Sequence, residues 1–294
     1  LKHTAHMIPM TRHFLTRIRE LKDSKSNKLS KLLVLDAEAE DLKLWQEILA
    51  RVHHGVSMNL IVIRQPTRLC WSDSCPFGIE GYCLTNGFAW RLRIPSTSPI
   101  YGSNLINNLL EFLGMAINIW LECRDAKKGK HPCILALGDS TSAIGWIHST
   151  ASLKPGWRAH TAHLLVARKT ARLVMEAECC LATQHIRGEL NTVADLLSFS
   201  GDITRAGGKK HPIAFDDPPS NVLTQRFHEH YPSQIPAAFE ILPLPNEILS
   251  WAPLVLQTAE LSLTANKRGP TRTKIGPGAA GEDSAERQGT MLTP

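Results

Sequence analysis

Hydrophobic and polar positions divide the chain into three regions of different character. Residues 1–65 are charged and helical in pattern, whereas residues 66–200 alternate short apolar runs with longer runs of helical period. After residue 200 the periodicity is lost, and eleven of the 18 prolines lie there. We therefore expect a helical segment at 1–65, an α/β domain at 66–200, and a largely irregular tail or linker at 201–294.

Three short runs open the middle region and predict an antiparallel meander. The runs 66–75 and 78–84 come first, and the run 88–94 places apolar residues at every second position. Between the second and third runs, Asn86-Gly87 is typical of a tight hairpin, because both residues tolerate a positive φ.

Helices and strands alternate in the rest of this region. A helix at about 104–123 is followed by a continuous apolar run at 133–137, which is typical of a strand covered on both faces. Two helices, a short strand at 181–187 and a final helix capped by Asn191 complete the order β-β-β-α-β-α-α-β-α. The prediction is a mixed five-stranded sheet with helices on both faces.

The net charge, the cysteines and the first residues of the chain add little to the prediction of function. The net charge of +6 suits a partner with phosphates but selects no function by itself. Seven cysteines without a Cys-x-x-Cys pair indicate buried thiols in a reducing compartment. No apolar run is long enough for a membrane span, and Leu1 begins neither a signal peptide nor a chain with an initiator Met. We expect a piece of a longer intracellular product with no membrane partner.

Four acids stand out by their position in the predicted elements. Asp73 ends the first strand, and Glu111 lies in a polar seam along the otherwise apolar helix. Asp139 follows the buried strand, and Asp195 lies in the first turns of the last helix. Spacing alone would not join them, and each also suits an ordinary role in a turn, a cap or an ion pair. The seam consists of Asn104, Asn107, Asn108, Glu111, Asn118 and Glu122.

Local sequence around the four acids resembles the ribonuclease H family. The stretches WSDS at 71–74 and GIEGY at 78–82 resemble its first hairpin, NLLE at 108–111 its first helix, and GDSTSA at 138–143 its second acidic element. The most specific likeness is HIRGELNTVADLLS at 185–198, which resembles the closing element of retrotransposon ribonuclease H domains. The likeness covers residues 66–200 in the family's order.

The resemblance implies a ribonuclease H-like part of a retrotransposon polyprotein, with the tyrosine-recombinase (DIRS-like) group as one candidate. Residues 1–65 would then resemble the connection from a reverse transcriptase, which is an expected partner. No Tyr-x-Asp-Asp motif is present, so polymerase activity is not expected. The implied location is the cytoplasm, with the nucleus or a retroelement particle as alternatives.

The implied activity is metal-dependent hydrolysis of the RNA strand of RNA–DNA hybrids during reverse transcription. Two Mg²⁺ ions, about 3.5–4 Å apart, would be the cofactors, with Mn²⁺ as an alternative. By resemblance, Asp73 bridges both ions, Glu111 and Asp139 bind the ion near the leaving group, and Asp195 binds the ion that activates water. Arg91 and Arg93 could contact phosphates. The expected substrate-binding residues are Asn104, Asn107, Asn108, Ser74, Ser140, Arg187 and Asn191.

Two other functions stay open. One is a non-catalytic, nucleic-acid-binding or structural module of the same polyprotein, and the other is a DDE-type integrase. The acid on the first helix and the Val-Ala-Asp ending argue against the integrase. Glu80 departs from the family's hairpin, where a small residue is usual, and it would either point outward or add negative charge to the substrate groove. We interpret His185 as structural.

Overall fold

The computed structural model describes residues 11–23, 36–124, 131–148, 159–197 and 239–267, with single positions at 4, 8, 34, 221, 224–225 and 228–229. Within these ranges, residues 13, 17, 192, 195, 196 and 265–267 are described by their backbone alone. In this part of the chain, no helix combines the length and apolarity that a membrane span requires.

Within the described residues, six strands form one mixed sheet in the order β5-β4-β1-β2-β3-β6. The strands β1, β2 and β3 form the predicted antiparallel meander, while β4 is parallel to β1, β5 to β4, and β6 to β3. The prediction of a mixed α/β sheet is confirmed, but the sheet has six strands where five were predicted. The strands are β1 (Arg68–Cys75), β2 (Gly78–Cys83), β3 (Phe88–Arg93), β4 (Cys133–Gly138), β5 (Cys180–His185) and β6 (Glu240–Ile241).

The helices follow the predicted order within the middle region. Short 3₁₀ turns at Asn104–Ile106 and Gly188–Leu190 precede two of them. All seven cysteines are free and buried, as predicted. The helices are α1 (Arg12–Asp23), α2 (Asp36–His53), α3 (Met58–Ile61), α4 (Asn107–Cys123), α5 (Thr141–His148), α6 (His160–Glu176), α7 (Thr192–Leu197) and α8 (Asn246–Lys267).

Helix α4 packs closely on the centre of the sheet. A Cβ atom at Gly114 would lie 2.9 Å from Ile79 Cγ2 and 3.3 Å from Ser72 Cβ, so the helix backbone approaches both β1 and β2. On the opposite face, Trp71 stacks on Tyr82 at 4.9 Å within a smaller apolar cluster that includes Ala194 of α7. Because successive strand residues point to opposite faces, α4 and α7 cover different sides of β1.

The main core continues beyond residues 66–200. Trp45 of α2 is 2% exposed and belongs to the same apolar cluster as α4 and the sheet. A buried ion pair, with 2.8 Å between Arg168 Nη2 and Asp41 Oδ1, joins α2 to α6. The domain boundaries at 65 and 200 therefore stay predictions, but the hydrophobic core does not end at them.

Residues 239–267, which lie in the region expected to be largely irregular, contain a strand and a long helix. Strand β6 pairs with β3, and α8 packs against α6. The buried residues of α8 follow a helical period, which the high proline content of the region obscured, and Pro253 lies inside the helix itself. These buried residues are Ile248, Ala252, Val255, Leu256 and Ala259.

Two helical glycines provide a test of the α4 packing. We expect Gly114→Ala to lower the free energy of unfolding by about 1–3 kcal/mol, because the added methyl would overlap Ile79. Gly145 of α5 is exposed and has no atom within 4 Å of the corresponding Cβ position. Gly145→Ala should therefore raise the free energy of unfolding by about 0.5–1 kcal/mol through helix propensity. Denaturant unfolding measures both, and the same sign for the two variants would contradict the close packing.

Candidate metal centre

Three of the four predicted acids meet at one point of the fold. Asp73, Glu111 and Asp139 each offer a carboxylate oxygen, and these oxygens lie within 4.8 Å of one another. The register of two parallel strands brings two of these acids together. Trp71 of β1 pairs with Leu137 of β4, and Asp73 and Asp139 each follow two residues later along the chain. Glu111 reaches the same point from the first turns of α4.

Glu111 is held by the strand that carries Asp73. Its Oε1 atom accepts hydrogen bonds from Ser74 N at 3.1 Å and from Ser74 Oγ at 2.7 Å. Burial raises the pKa of Glu111 well above its usual 4.5, and the negative charge of Asp73 raises this pKa further. The Ser74 hydrogen bonds act in the opposite direction, and the charge of Asp139 adds a smaller increase to the pKa.

The donor set fits a hard cation. All three side chains offer carboxylate oxygen, which Mg²⁺, Mn²⁺ and Ca²⁺ accept as a ligand. Glu111 is 4% exposed and Asp73 is 9% exposed, so water screens their repulsion poorly. A cation between them would offset that repulsion, and the three acids could therefore hold a metal ion.

The segment after β5 closes against the same point. His185 Nε2 lies 3.0 Å from the backbone oxygen of Asp139, which agrees with a structural role for this histidine. A Cβ atom at Gly188 would lie 3.1 Å from Asp139 Oδ2, so the chain passes directly beside the carboxylate. Asn191 then donates a hydrogen bond from Nδ2 to Ser72 O at 3.2 Å and fixes the start of α7 to β1.

Asp195 follows in α7, but its side chain lies outside the described residues. Its backbone belongs to α7. Asn191, just before this helix, is bonded to Ser72 of β1, and Ser72 directly precedes Asp73. Its place in the acidic cluster stays a prediction.

Some of the expected substrate-binding residues are exposed, and others make hydrogen bonds within the protein. Asn104, Asn108 and Arg187 are exposed, and Asn107 Oδ1 accepts a hydrogen bond from Ser74 Oγ at 3.4 Å. Ser140 Oγ accepts the amide of Ala143 at 3.3 Å and so caps α5.

The side chains of Ser74 and Asn191 are buried and do not lie on the surface. Ser74 is 9% exposed and holds Glu111, while Asn191 is 1% exposed and holds Ser72 O. The observed contacts give these two residues a positioning role, and their expected contact with substrate stays a prediction.

The polar seam of α4 has a second, structural half. Asn118 Oδ1 accepts Trp90 Nε1 at 2.7 Å, and Asn118 Nδ2 donates to Trp71 O at 2.7 Å. Glu122 Oε2 accepts Asn86 Nδ2 at 2.9 Å and lies 3.5 Å from Arg68 Nε. These contacts bind the helix to the sheet, whereas Glu111 at the other end of the seam joins the acidic cluster.

Glu80 lies beside the site, and the sequence alone leaves its orientation open. It is fully buried and lies opposite Asp73 in the pairing of β1 with β2, which excludes the first of the two alternatives, that it points outward. The hairpin at residues 76–77 already implies this register, because counting back equally from the turn pairs position 73 with position 80.

Comparison of the chain with protein-family models, curated proteins and solved structures finds no match. Statements about function therefore depend on the geometry of the site.

Glu111→Gln tests the electrostatics of the cluster. Because the raised pKa of Glu111 favours its neutral form in the folded state, stability should fall as pH rises above 4.5. Without divalent cations we expect Glu111→Gln to melt above wild type at about pH 8, and the gap to narrow at about pH 5. Thermal unfolding monitored by circular dichroism measures both.

Glu122→Gln is the matched control on the same helix. It removes a charge that lies 3.5 Å from Arg68, so it should melt below wild type. Equal changes in the two variants at both pH values would contradict a repulsive cluster at Glu111.

Proposed function

We propose that this chain is a metal-dependent endonuclease of the ribonuclease H kind, which hydrolyses the RNA strand of RNA–DNA hybrids. The observation that carries the proposal is the meeting of Asp73, Glu111 and Asp139 within 4.8 Å. Three separate segments supply these acids, in the order that the resemblance to the ribonuclease H family implies.

The acids supply the oxygen ligands of the site. When bound, Mg²⁺ ions supply Lewis-acid activation of water and offset charge on the phosphodiester. Asp73 and Asp139 offer their carboxylates from neighbouring strand ends, and Ser74 fixes the orientation of Glu111 through two hydrogen bonds. Asp195 is the proposed fourth ligand, carried by the helix that Asn191 fixes to β1.

Exposed polar groups beside the cluster suit the proposed substrate. Asn104 and Asn108 lie at or just before the start of α4, one or two turns from Glu111. Amide side chains at this end could exchange hydrogen bonds with 2′-hydroxyls across a wide minor groove, which distinguish RNA from DNA. Arg187 is exposed in the segment beside Asp139 and could contact a phosphate.

The proposed setting is the replication of a retroelement, with the reverse transcriptase of the same element as partner. A non-catalytic module that binds hybrids is the alternative, and the assay below separates the two.

A cleavage assay with two buried acids of α4 tests the function. The full chain should cut the RNA strand of a labelled hybrid in the presence of Mg²⁺ or Mn²⁺. Glu111→Gln should lower the rate by more than about a hundredfold, because even changes around metal ligands cost about 10–100-fold. Glu122→Gln should keep the activity at temperatures where circular dichroism shows it folded.

Three outcomes contradict the proposal: no cleavage by wild type, equal cleavage by Glu111→Gln, or equal loss in both folded variants. Salt-sensitive binding of the hybrid by a wild-type chain that does not cleave it would indicate the non-catalytic module.

A further inference from the structure

A cavity of about 460 Å³ is lined by residues of α4, α6 and α8, and none of the three acids of the metal centre is among them. Trp120 of α4, which lines it, follows Glu111 by nine residues. That separation corresponds to about 14 Å of rise and about two and a half turns, so the two side chains leave opposite sides of the helix. The volume of the cavity is typical of a site for a small ligand or for one unit of a larger one.

Two tryptophans form an aromatic wall of this cavity. The ring centres of Trp120 and Trp251 lie 5.4 Å apart with 67° between the ring planes, which is an edge-to-face arrangement. Both side chains are only partly buried. Trp120 can cover one face of the Trp251 ring at most, so Trp251 keeps a face that Trp120 does not cover. Such a ring suits stacking with a planar group such as a nucleobase.

Positive charge lies beside the aromatic wall. Lys169 Nζ of α6 is 3.7 Å from the centre of the Trp120 ring, a cation–π contact that holds the ammonium group at the cavity. Arg124, the residue directly after α4, also lines the cavity and is exposed. Sites for single-stranded nucleic acids combine these two features, because cations attract the phosphates while aromatic rings stack with the bases.

Hydrogen-bond acceptors complete the lining. Glu176 and Glu247 contribute carboxylates, and Ser250 contributes a hydroxyl group. Carboxylates beside the cations disfavour a simple anion, and a purely apolar ligand would leave all of these charges unmatched. A nucleotide complements every part of the lining, since it has a planar base, an anionic phosphate, and amino or ribose hydroxyl groups that can donate to carboxylates.

We propose that this cavity binds one nucleotide of a single-stranded nucleic acid, with the base on Trp251 and the phosphate at Lys169 and Arg124. Arg124 also lines a neighbouring cavity of about 530 Å³, which gives a strand room beyond one nucleotide. The site is separate from the proposed metal centre and does not depend on it. It adds the capture of a single strand to the proposed hydrolysis of hybrids.

Titration of a fluorescently labelled single-stranded oligouridine with the full chain, followed by fluorescence anisotropy in the presence of EDTA, tests the site. EDTA removes divalent cations, so neither cleavage nor a bound metal ion contributes. Trp251→Ala should weaken binding by about tenfold, because it removes one stacking ring. Trp251→Phe keeps a ring at this position and should stay within about threefold of wild type.

Two cations of α6 provide a matched comparison. Loss of one phosphate contact should reduce the slope of log affinity against log salt concentration by about 0.7 for a single strand. Lys169→Gln should show this reduction. Arg172→Gln should not, because Arg172 is not among the lining residues and its Nε atom lies 2.8 Å from Glu47 Oε2. Equal reductions in the two variants would indicate a general effect of net charge and would overturn the proposed site.

The remaining outcomes also decide the proposal. No binding of the oligonucleotide by wild type, or wild-type affinity in a folded Trp251→Ala variant, overturns it, and neither result bears on the cleavage of hybrids. Competition with uridine monophosphate separates a strand from a free nucleotide, since tighter binding of the oligonucleotide supports the strand and equal affinity overturns it. If Trp251→Ala does not fold, the salt dependence of Lys169→Gln and Arg172→Gln still decides, because both residues are partly exposed.

Discussion

The close contact of α4 with β1 is the constraint on which the rest of the site depends. Gly114 leaves room for this contact, since a Cβ atom there would lie 3.3 Å from Ser72 Cβ of β1 and 2.9 Å from Ile79 Cγ2 of the neighbouring β2. At that depth Glu111 reaches both the amide and the hydroxyl of Ser74, and Asn118 reaches Trp71 O further along the strand. The helix is therefore bound to β1 on both sides of Asp73. Its position relative to the strand determines whether the acids of two different elements can meet.

The same packing brings buried acids close together, which is electrostatically unfavourable without a bound cation. Burial of Glu111 beside Asp73 raises the pKa of Glu111, so the folded chain resists full ionisation of its own cluster. The hydrogen bonds from Ser74 offset this effect only in part. A fold that accepts such repulsion without an apolar or a paired alternative is typical of a functional site, where residues are arranged for a ligand.

Much of the fold was predictable from periodicity, and the failures have physical causes. The meander, the buried helix α4 and the strand before Asp139 follow from hydrophobic patterns that tertiary packing reinforces. Helix α8 does not follow from the sequence pattern, because the high proline content of its region masks the helical period of Ile248, Ala252 and Val255. Strand β6 has only two residues, too few for any pattern. For the site, the acids were found by resemblance, whereas the burial of Glu80 depends on a register that only hairpin geometry reveals.

Glu111 and Glu122 show why residue type alone does not separate a candidate metal ligand from a residue that binds the helix to the sheet. Both are buried acids on α4, at opposite ends of one polar seam. Glu122 Oε2 meets both Arg68 and Asn86, so the charge of Glu122 has a cationic partner within the protein. Glu111 meets Ser74 on one side and two further acids on the other, so its negative charge has a cation as its natural complement.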